Sequence, residues 1–267
     1  MIGEGSPKYT MGDNDVAGER LALLSELFGP TSAALIEHIS RPGRRLAVDL
    51  GCGPGHTTAL LALRGRTERT VGLDASPNFV ERARRRYRSL EFGVHDITQT
   101  PFPTPAADLL FARFLLAHLP EPATVIDTWC SQLAAGGRLA TEETERIDTD
   151  VDTFMLYEQT TASMIAYYGA NLYVGATTRD LPPPSGTRVV VSQATEVRPA
   201  TAVVARVYAM NLATWRHDPF IIDTVAPSII ETISEGLTDL QSSDAIDQLV
   251  FRNRQVVYEH DRRGGGR

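Results

Sequence analysis

Cysteine is nearly absent: Cys52 and Cys130 are the two in 267 residues. They cannot staple a chain of this length, so a disulfide scaffold is excluded and a reducing compartment is expected. Lysine is scarcer, with Lys8 alone, so nearly all of the 26 basic residues are arginine; against 33 acidic residues they leave a net charge of -7. That balance carries no electrostatic footprint for nucleic acid. Long apolar runs are missing too. The longest uncharged stretch that invites a membrane reading, residues 159–178, holds four threonines, a serine, an asparagine and two glycines, too polar to span a bilayer. No leader pattern opens the chain, and a cytoplasmic location is expected. No His or Cys spacing suits a metal, and no internal repeat or low-complexity tract stands out. The composition that remains, 42% hydrophobic and 22% charged, is ordinary for a globular protein of one large domain or two small ones.

Periodicity divides the chain. Residues 1–15 are rich in glycine and charge and are expected to be loose unless something packs on them, and 262–267 form a tail expected to be disordered. Leu21, Leu24 and Phe28 share a helical face over 16–28, Gly29-Pro30 reads as a stop, and Thr31 suits the cap of a second helix to about residue 40. From residue 45, short apolar runs alternate with helix-length segments, the pattern of parallel strands with crossover helices. Strands are read at 46–50, 70–74, 91–94, 108–112 and 138–142. Ser76 is a good N-cap, Pro77 fits the first helical position, and Phe79, Val80, Ala83 and Tyr87 then share a face opposite a solvated arginine face. Past residue 142 the rhythm breaks: 146–176 reads as one or two helices, 180–186 as a proline-rich turn, and 187–197, 202–210 and 254–260 as late strands or strand–helix mixtures.

The informative stretch is Val48-Asp-Leu-Gly-Cys-Gly-Pro-Gly-His-Thr-Thr58, a strand running into Gly51, Gly53 and Gly55 and then into an apolar helix. Glycine there permits a tight strand-to-helix turn and lets a ligand lie against bare backbone, with amide N–H groups facing it. Nineteen residues after Gly55, the strand Val71-Gly-Leu-Asp74 ends in a carboxylate able to accept both hydroxyls of a ribose. A P-loop is excluded, since no Gly-Lys-Ser/Thr follows the turn, and the glycine spacing is wrong for a dinucleotide fingerprint.

With these residues the sequence resembles the class I S-adenosylmethionine-dependent methyltransferases over residues 46–143. Asp49, Gly51, Gly53 and Gly55 match the acidic residue and Gly-x-Gly-x-Gly of that family's first strand, Asp74 its ribose-binding residue, and Asp96 in Val94-His-Asp-Ile97 its adenine contact. The segment Asp108-Leu-Leu-Phe-Ala-Arg-Phe-Leu-Leu-Ala-His-Leu-Pro120 and the turn Leu133-Ala-Ala-Gly-Gly-Arg-Leu139 match the family's fourth strand and entry to the fifth. The resemblance implies a Rossmann-like α/β fold: a mostly parallel seven-stranded sheet flanked by helices, with a helical lid inserted after strand five. It implies S-adenosylmethionine as cofactor, held by Tyr9, Asp49, Gly51, Cys52, Gly53, Gly55, Asp74, Ala75, His95, Asp96, Ile97 and Arg113. Tyr9-Thr-Met-Gly12 and the helix after it also resemble the arm that covers the cofactor in a bacterial subgroup acting on small molecules. The organisation expected is an arm over 1–44, a cofactor-binding core over 45–145, a lid over 146–186 and sheet-completing elements over 187–261.

Methyl transfer is an in-line substitution, so a protein must align acceptor and methyl and exclude water, while a base is optional. His118 after the fourth strand, and Glu142 or its neighbour Glu143 after the fifth, are the candidate bases, although a lone histidine before Leu-Pro is more often structural. His56 and His95 would shape the cleft, and Cys52 would be packed as a small apolar side chain rather than act as a reactive thiol. Tyr157, Met164 and Tyr168 share one face at helical spacing and are the candidate lining of an aromatic acceptor pocket; packing of a helix on its own domain is the plainer alternative. The expected substrate is a small organic molecule such as a specialised metabolite, methylated on oxygen ahead of nitrogen or carbon, without nucleic acid, membrane or metal, and a homodimer is compatible with the sequence. Two alternatives stand beside it: a fixed sulfonium used electrostatically for rearrangement, cyclisation or decarboxylation, and a non-enzymatic sensor.

Overall fold

The computed structural model describes residues 12, 13, 15–246 and 248–261. Its elements run α1 (Asp15–Ile39), β1 (Arg44–Leu50), α2 (His56–Arg64), β2 (Thr67–Asp74), α3 (Pro77–Arg86), β3 (Glu91–Val94), β4 (Ala107–Arg113), α4 (Pro122–Cys130), β5 (Leu133–Thr149), α5 (Asp152–Tyr167), α6 (Val174–Asp180), β6 (Thr187–Val197), α7 (Thr201–Trp215), α8 (Pro219–Thr224), α9 (Pro227–Leu240) and β7 (Leu249–His260). Seven strands form one sheet in the order β3-β2-β1-β4-β5-β7-β6. Pairings are parallel from β3 to β5, whereas β7 runs antiparallel to both β5 and β6. The sheet is therefore the Rossmann-like one the resemblance implied, with α5 and α6 following the fifth strand.

Strand alternation splits the core into two layers. Leu46, Val48 and Leu50 of β1 join Val71, Leu110, Trp129 and Val174 on one face. Ala47, Leu109, Phe111, Ala140 and Val257 join Leu35, Ile36 and Ile39 of α1 and Leu61 of α2 on the other. A third cluster lies beyond the sheet edge, where Phe154, Tyr157, Met164, Tyr208, Trp215 and Ile233 pack α5, α7 and α9 against Phe28 of α1.

Three sequence expectations are corrected. The stop at Gly29-Pro30 is absent: α1 continues through Pro30 to Ile39, and Thr31 lies within the helix instead of capping a second one. Pro30 removes one N–H, a cost of about 3 kcal/mol in a helix interior. Burial of Leu35, Ile36 and Ile39 past Pro30 offsets it. The valine-rich run at 202–210 belongs to a helix, because Val204, Val207, Tyr208, Leu212 and Trp215 are buried at three- and four-residue spacing. The fifth strand is far longer than 138–142, since β7 pairs with it down to Thr149↔Leu249. The strand at 91–94 and the one at 187–197 have the expected bounds. Tyr9 and the tail 262–267 lie outside the described residues. Among the described residues no helix is long and apolar enough to cross a membrane.

Helix α6 is pressed onto the β5 backbone at Gly175, where a Cβ would lie 2.7 Å from the Glu143 carbonyl oxygen and 2.8 Å from the Glu145 nitrogen. Gly→Ala inside a helix ordinarily gains about 1 kcal/mol. Here the neighbour is strand backbone that has no rotamer to change. Gly175→Ala is expected to destabilise the protein by about 1–3 kcal/mol in urea titration; a more stable variant would refute this packing.

Candidate functional site

The site lies along the C-terminal ends of β1, β2, β3 and β4. After β1 the chain turns through Gly51, Gly53 and Gly55 at φ of 62°, 51° and 88°, left-handed values that side chains resist. The three glycines differ in what surrounds them. A Cβ on Gly51 would strike Leu115 Cδ1 at 2.7 Å and one on Gly55 would strike Phe92 at 2.9 Å, whereas Gly53 meets only Leu21 Cδ1 of α1 at 3.4 Å. Gly53 is buried beneath α1, the one glycine of the three whose added Cβ would make only ordinary contact, with Leu21.

Asp74, at the end of β2, is aimed by two backbone donors: the Gly53 N–H reaches Oδ2 and the Ser76 N–H reaches Oδ1, each at 2.8 Å. Burial raises its pKa against the lowering effect of these bonds. Each oxygen keeps a further lone pair for a hydroxyl donor. Beside it Ser76 and Asn78 donate to Asp13 at 2.8 and 3.1 Å, so the segment leading into α1 crosses the mouth of the site. Asp96 sits after β3 with Oδ1 accepting from the Thr98 N–H at 3.0 Å and hydroxyl at 2.7 Å. Ala75 is exposed, His95 pairs with the Gln99 carbonyl at 3.0 Å, and buried Ile97 accepts the Trp129 indole N–H at 2.9 Å. Cys52 is buried, and burial together with Asp49 and Asp74 pushes its thiol pKa up, so it stays protonated. His56 bonds the Tyr87 hydroxyl at 2.9 Å and is pushed down to about 4 by burial and by Arg86 and Arg113.

Beneath this rim a row of buried polar groups crosses the sheet on the face covered by α1. Asp49 accepts the hydroxyls of Thr57 and Thr58 at 2.6 and 2.7 Å, and burial raises it to about 6. Arg113 donates to Ser32 at 3.0 Å; burial lowers its pKa, while Glu142 and Asp49 act the other way. Glu142 accepts from Ser32, from Thr31 at 3.0 Å and from Gln255 at 2.8 Å, and is fully buried. That geometry corrects the expectation of a base at Glu142: its oxygens fasten α1 and β7 to the sheet. Arg113 likewise turns to Ser32, Asp49 and Glu142.

Glu143 points to the opposite face and accepts the N–H groups of Leu115 and Leu116 at 2.9 and 2.8 Å, holding the turn after β4. That turn contains Phe114 at φ 52° and ends in a single 3₁₀ turn, Leu116–His118, not the helix expected there. His118 is pushed down to about 4 by burial and by the Arg20 charge, so it is neutral at pH 7 and a weak base. Tyr157 and Met164 are buried on one face of α5, but Tyr168 is exposed and bonds Asp218 at 2.8 Å. The shared face fails because α5 ends at Tyr167 and Gly169, at φ 80°, turns the chain away. Among the described residues no His, Cys, Asp and Glu grouping could hold a metal.

Burial raises Glu143 to about 8, above the usual 4.5, and its Oε2 has no hydrogen-bond partner. A raised folded-state pKa favours the folded protein fully below the unfolded value and is lost as pH climbs from about 4.5 through 8. Glu143→Gln, which cannot ionise, is therefore expected to gain on the wild type across that window by on the order of 3 kcal/mol. Urea titrations of both proteins at pH 5 and pH 8 check this, and a pH-independent difference contradicts it.

The sequence profile of the Methyltransferase domain family matches residues 48–141. A trans-aconitate 2-methyltransferase of Methylobacterium radiotolerans is 34% identical over 166 residues, 62% of this chain and 64% of that protein. Its namesake in Methylobacterium nodulans is 36% identical over 117 residues, 44% of this chain and 45% of that protein. The chain thus matches less than two thirds of the length of these curated relatives. Among solved structures, a candidate methyltransferase from Bacillus halodurans superposes at TM-score 0.56 with 14% identity, over 86% of this chain and 99% of that one. The [4+2]-cyclase SpnF does so at 0.50 with 17% identity, over 97% and 85%. These two show a common fold. Sheet order and glycine turn agree with the matched segment: residues 48–141 are similar to the Methyltransferase domain family, and the fold around them is Rossmann-like.

Proposed function

We propose that this protein transfers a methyl group from S-adenosylmethionine to a carboxylate oxygen of a small organic acid. The observation that carries the cofactor assignment is the carboxylate of Asp74 held at the end of β2 by the Gly53 and Ser76 N–H groups, beside the left-handed turn of Gly51, Gly53 and Gly55. In this reading Asp74 takes the ribose hydroxyls, Asp96 the adenine amino group, and the turn of Gly51, Gly53 and Gly55 the amino-acid portion. When bound, S-adenosylmethionine supplies a methyl on positively charged sulfur: the carboxylate oxygen forms the new C–O bond as the C–S bond breaks, its electron pair staying on sulfur, and ester and thioether leave without a proton to dispose of.

The titration states of the site favour an acceptor that arrives ionised. His118, at about 4, is too weak a base to deprotonate a phenol or alcohol efficiently, and Glu143, at about 8, holds its proton at pH 7. A carboxylic acid needs neither. The names of the relatives, trans-aconitate 2-methyltransferases, describe action on such an acid. The chain's task is then alignment and exclusion of water: α1 roofs the glycine turn through Leu21, and Glu143 fixes the turn bearing His118. Buried, free Cys52 and Cys130 suit a cytoplasmic setting.

Calorimetric titration with S-adenosylmethionine and S-adenosylhomocysteine is expected to show binding that Asp74→Ala weakens by about 2–4 kcal/mol, two charged hydrogen bonds with partial compensation. Absence of binding in the wild type would overturn the assignment. With a panel of organic acids including trans-aconitate, mass spectrometry should find products heavier by one methyl, and His118→Asn should keep kcat within about tenfold. A loss of about 1,000-fold would make His118 a base and remove the argument for a pre-ionised acceptor. Isomerised products of unchanged mass would favour the electrostatic use of the sulfonium instead.

A further inference from the structure

A cleft of about 490 Å³ opens where the first turns of α1 meet α3 and the glycine turn. It is lined by Arg82, Arg85 and Arg86, which stand at three- and four-residue spacing and so share one face of α3. Pro54 of the glycine turn and His56, which opens α2, line it too. Gly51, Gly53, Asp74 and Asp96 do not, so the cleft adjoins the cofactor residues without sharing them. Like charges one helical turn apart repel, and the chain as a whole carries -7, so three guanidiniums around one hollow run against the protein's charge balance.

These groups are held in place. A Cβ on Gly18 would lie 3.3 Å from Arg82 Nη1, so glycine there lets the guanidinium lie close against α1. Arg86 covers the Tyr87 ring at 5.7 Å and gives its Nε–H to the Tyr87 hydroxyl at 3.3 Å, while its two terminal nitrogens meet no acceptor among the described residues. The Tyr87 hydroxyl, accepting from Arg86, has its own hydrogen for His56 Nδ1 at 2.9 Å, an arrangement that puts the hydrogen of the neutral imidazole on Nε2. His56 thus adds an N–H donor to the arginines.

The acids of the cleft leave these donors with capacity to spare. Arg82 pairs with Asp15 at 2.5 Å and Arg85 with Glu81, but both carboxylates are exposed, Asp15 at 94%, and each uses part of a five-donor fork. Glu19 is turned to Arg206 of α7. One unpaired guanidinium, two partly used ones and an imidazole N–H exceed what a single carboxylate can accept. A phosphate monoester brings three acceptor oxygens and close to two negative charges, and arginine forks fit it.

We propose that Arg82, Arg85, Arg86 and His56 form a binding site for the phosphate group of a small molecule, with Asp15 as the internal carboxylate that the ligand displaces. The site stands on its own residues and does not rest on the methyl-transfer reading.

Calorimetric titration of the full chain with sodium phosphate, glycerol phosphate and trans-aconitate, each balanced to the same ionic strength with sodium chloride, tests it. The expected result is saturable, one-to-one binding of phosphate that Arg86→Gln weakens by about tenfold or more and Asp15→Asn tightens by about threefold. Arg146→Gln removes the same charge from β5 and should leave the affinity unchanged. Arg86, Asp15 and Arg146 are all exposed, so these variants keep the fold. Tighter binding of glycerol phosphate than of inorganic phosphate identifies a phosphorylated metabolite as the ligand, and the reverse order identifies free phosphate. Absence of phosphate binding, binding indifferent to Arg86→Gln, or trans-aconitate bound as tightly as phosphate overturns the assignment. Saturating S-adenosylhomocysteine should leave the phosphate titration unaltered; displacement would put the anion in the cofactor site and overturn the proposal as well. If S-adenosylhomocysteine itself does not bind, the cofactor assignment fails instead, and the phosphate titration of the cofactor-free protein still decides this one.

Discussion

A half-buried guanidinium stands at the centre of the polar row that ties this sheet to α1. Arg113 ends β4 between Asp49 of β1 and Glu142 of β5 and donates to Ser32 of α1. Glu142 is in turn bonded to Gln255 of β7, whose carbonyl oxygen accepts from Gln193 of β6 at 2.8 Å. Charges taken out of water are tolerable when opposite charge and hydrogen bonds lie near, and the row supplies both as it crosses five of the seven strands. Its hydroxyl partners, Thr31 and Ser32, lie just past Pro30, at the point where α1 would be expected to break. The row therefore fixes the helix that roofs the glycine turn, and removal of one partner would leave the others charged and buried.

Two carboxylates adjacent in sequence have opposite tasks because strand alternation sends them to opposite faces. Glu142 goes to the α1 side, where Arg113 supplies a positive charge and three side chains donate hydrogen bonds. Glu143 goes to the other, where it meets backbone N–H groups, no cation, and burial strong enough to keep its proton near neutral pH. Above them Asp74 and Gly53 are held by short-range bonds, and the turn after β4 is pinned from below.

Much of the fold was legible because it is local. Short apolar runs between helices give β1 to β4, three glycines and a strand-end aspartate give the cofactor side, and Ser76-Pro77 gives the start of α3, capped by the Ser76 hydroxyl at 3.2 Å from the Phe79 nitrogen. Tyr157 and Met164 were legible as one helical face, whereas Tyr168 was not, because a left-handed Gly169 ends the helix first. What sequence could not decide depends on partners distant along the chain. The continuation of α1 through Pro30 requires Glu142, the length of β5 requires β7, and the burial of Arg20 requires Asn211, 191 residues away. By itself the sequence determined the strands β1 to β4, the start of α3 and the glycine turn, since propensity, capping and turn geometry act over a few residues. Only the tertiary structure decided which polar groups are buried together, because desolvation and pairing depend on what lies across the fold.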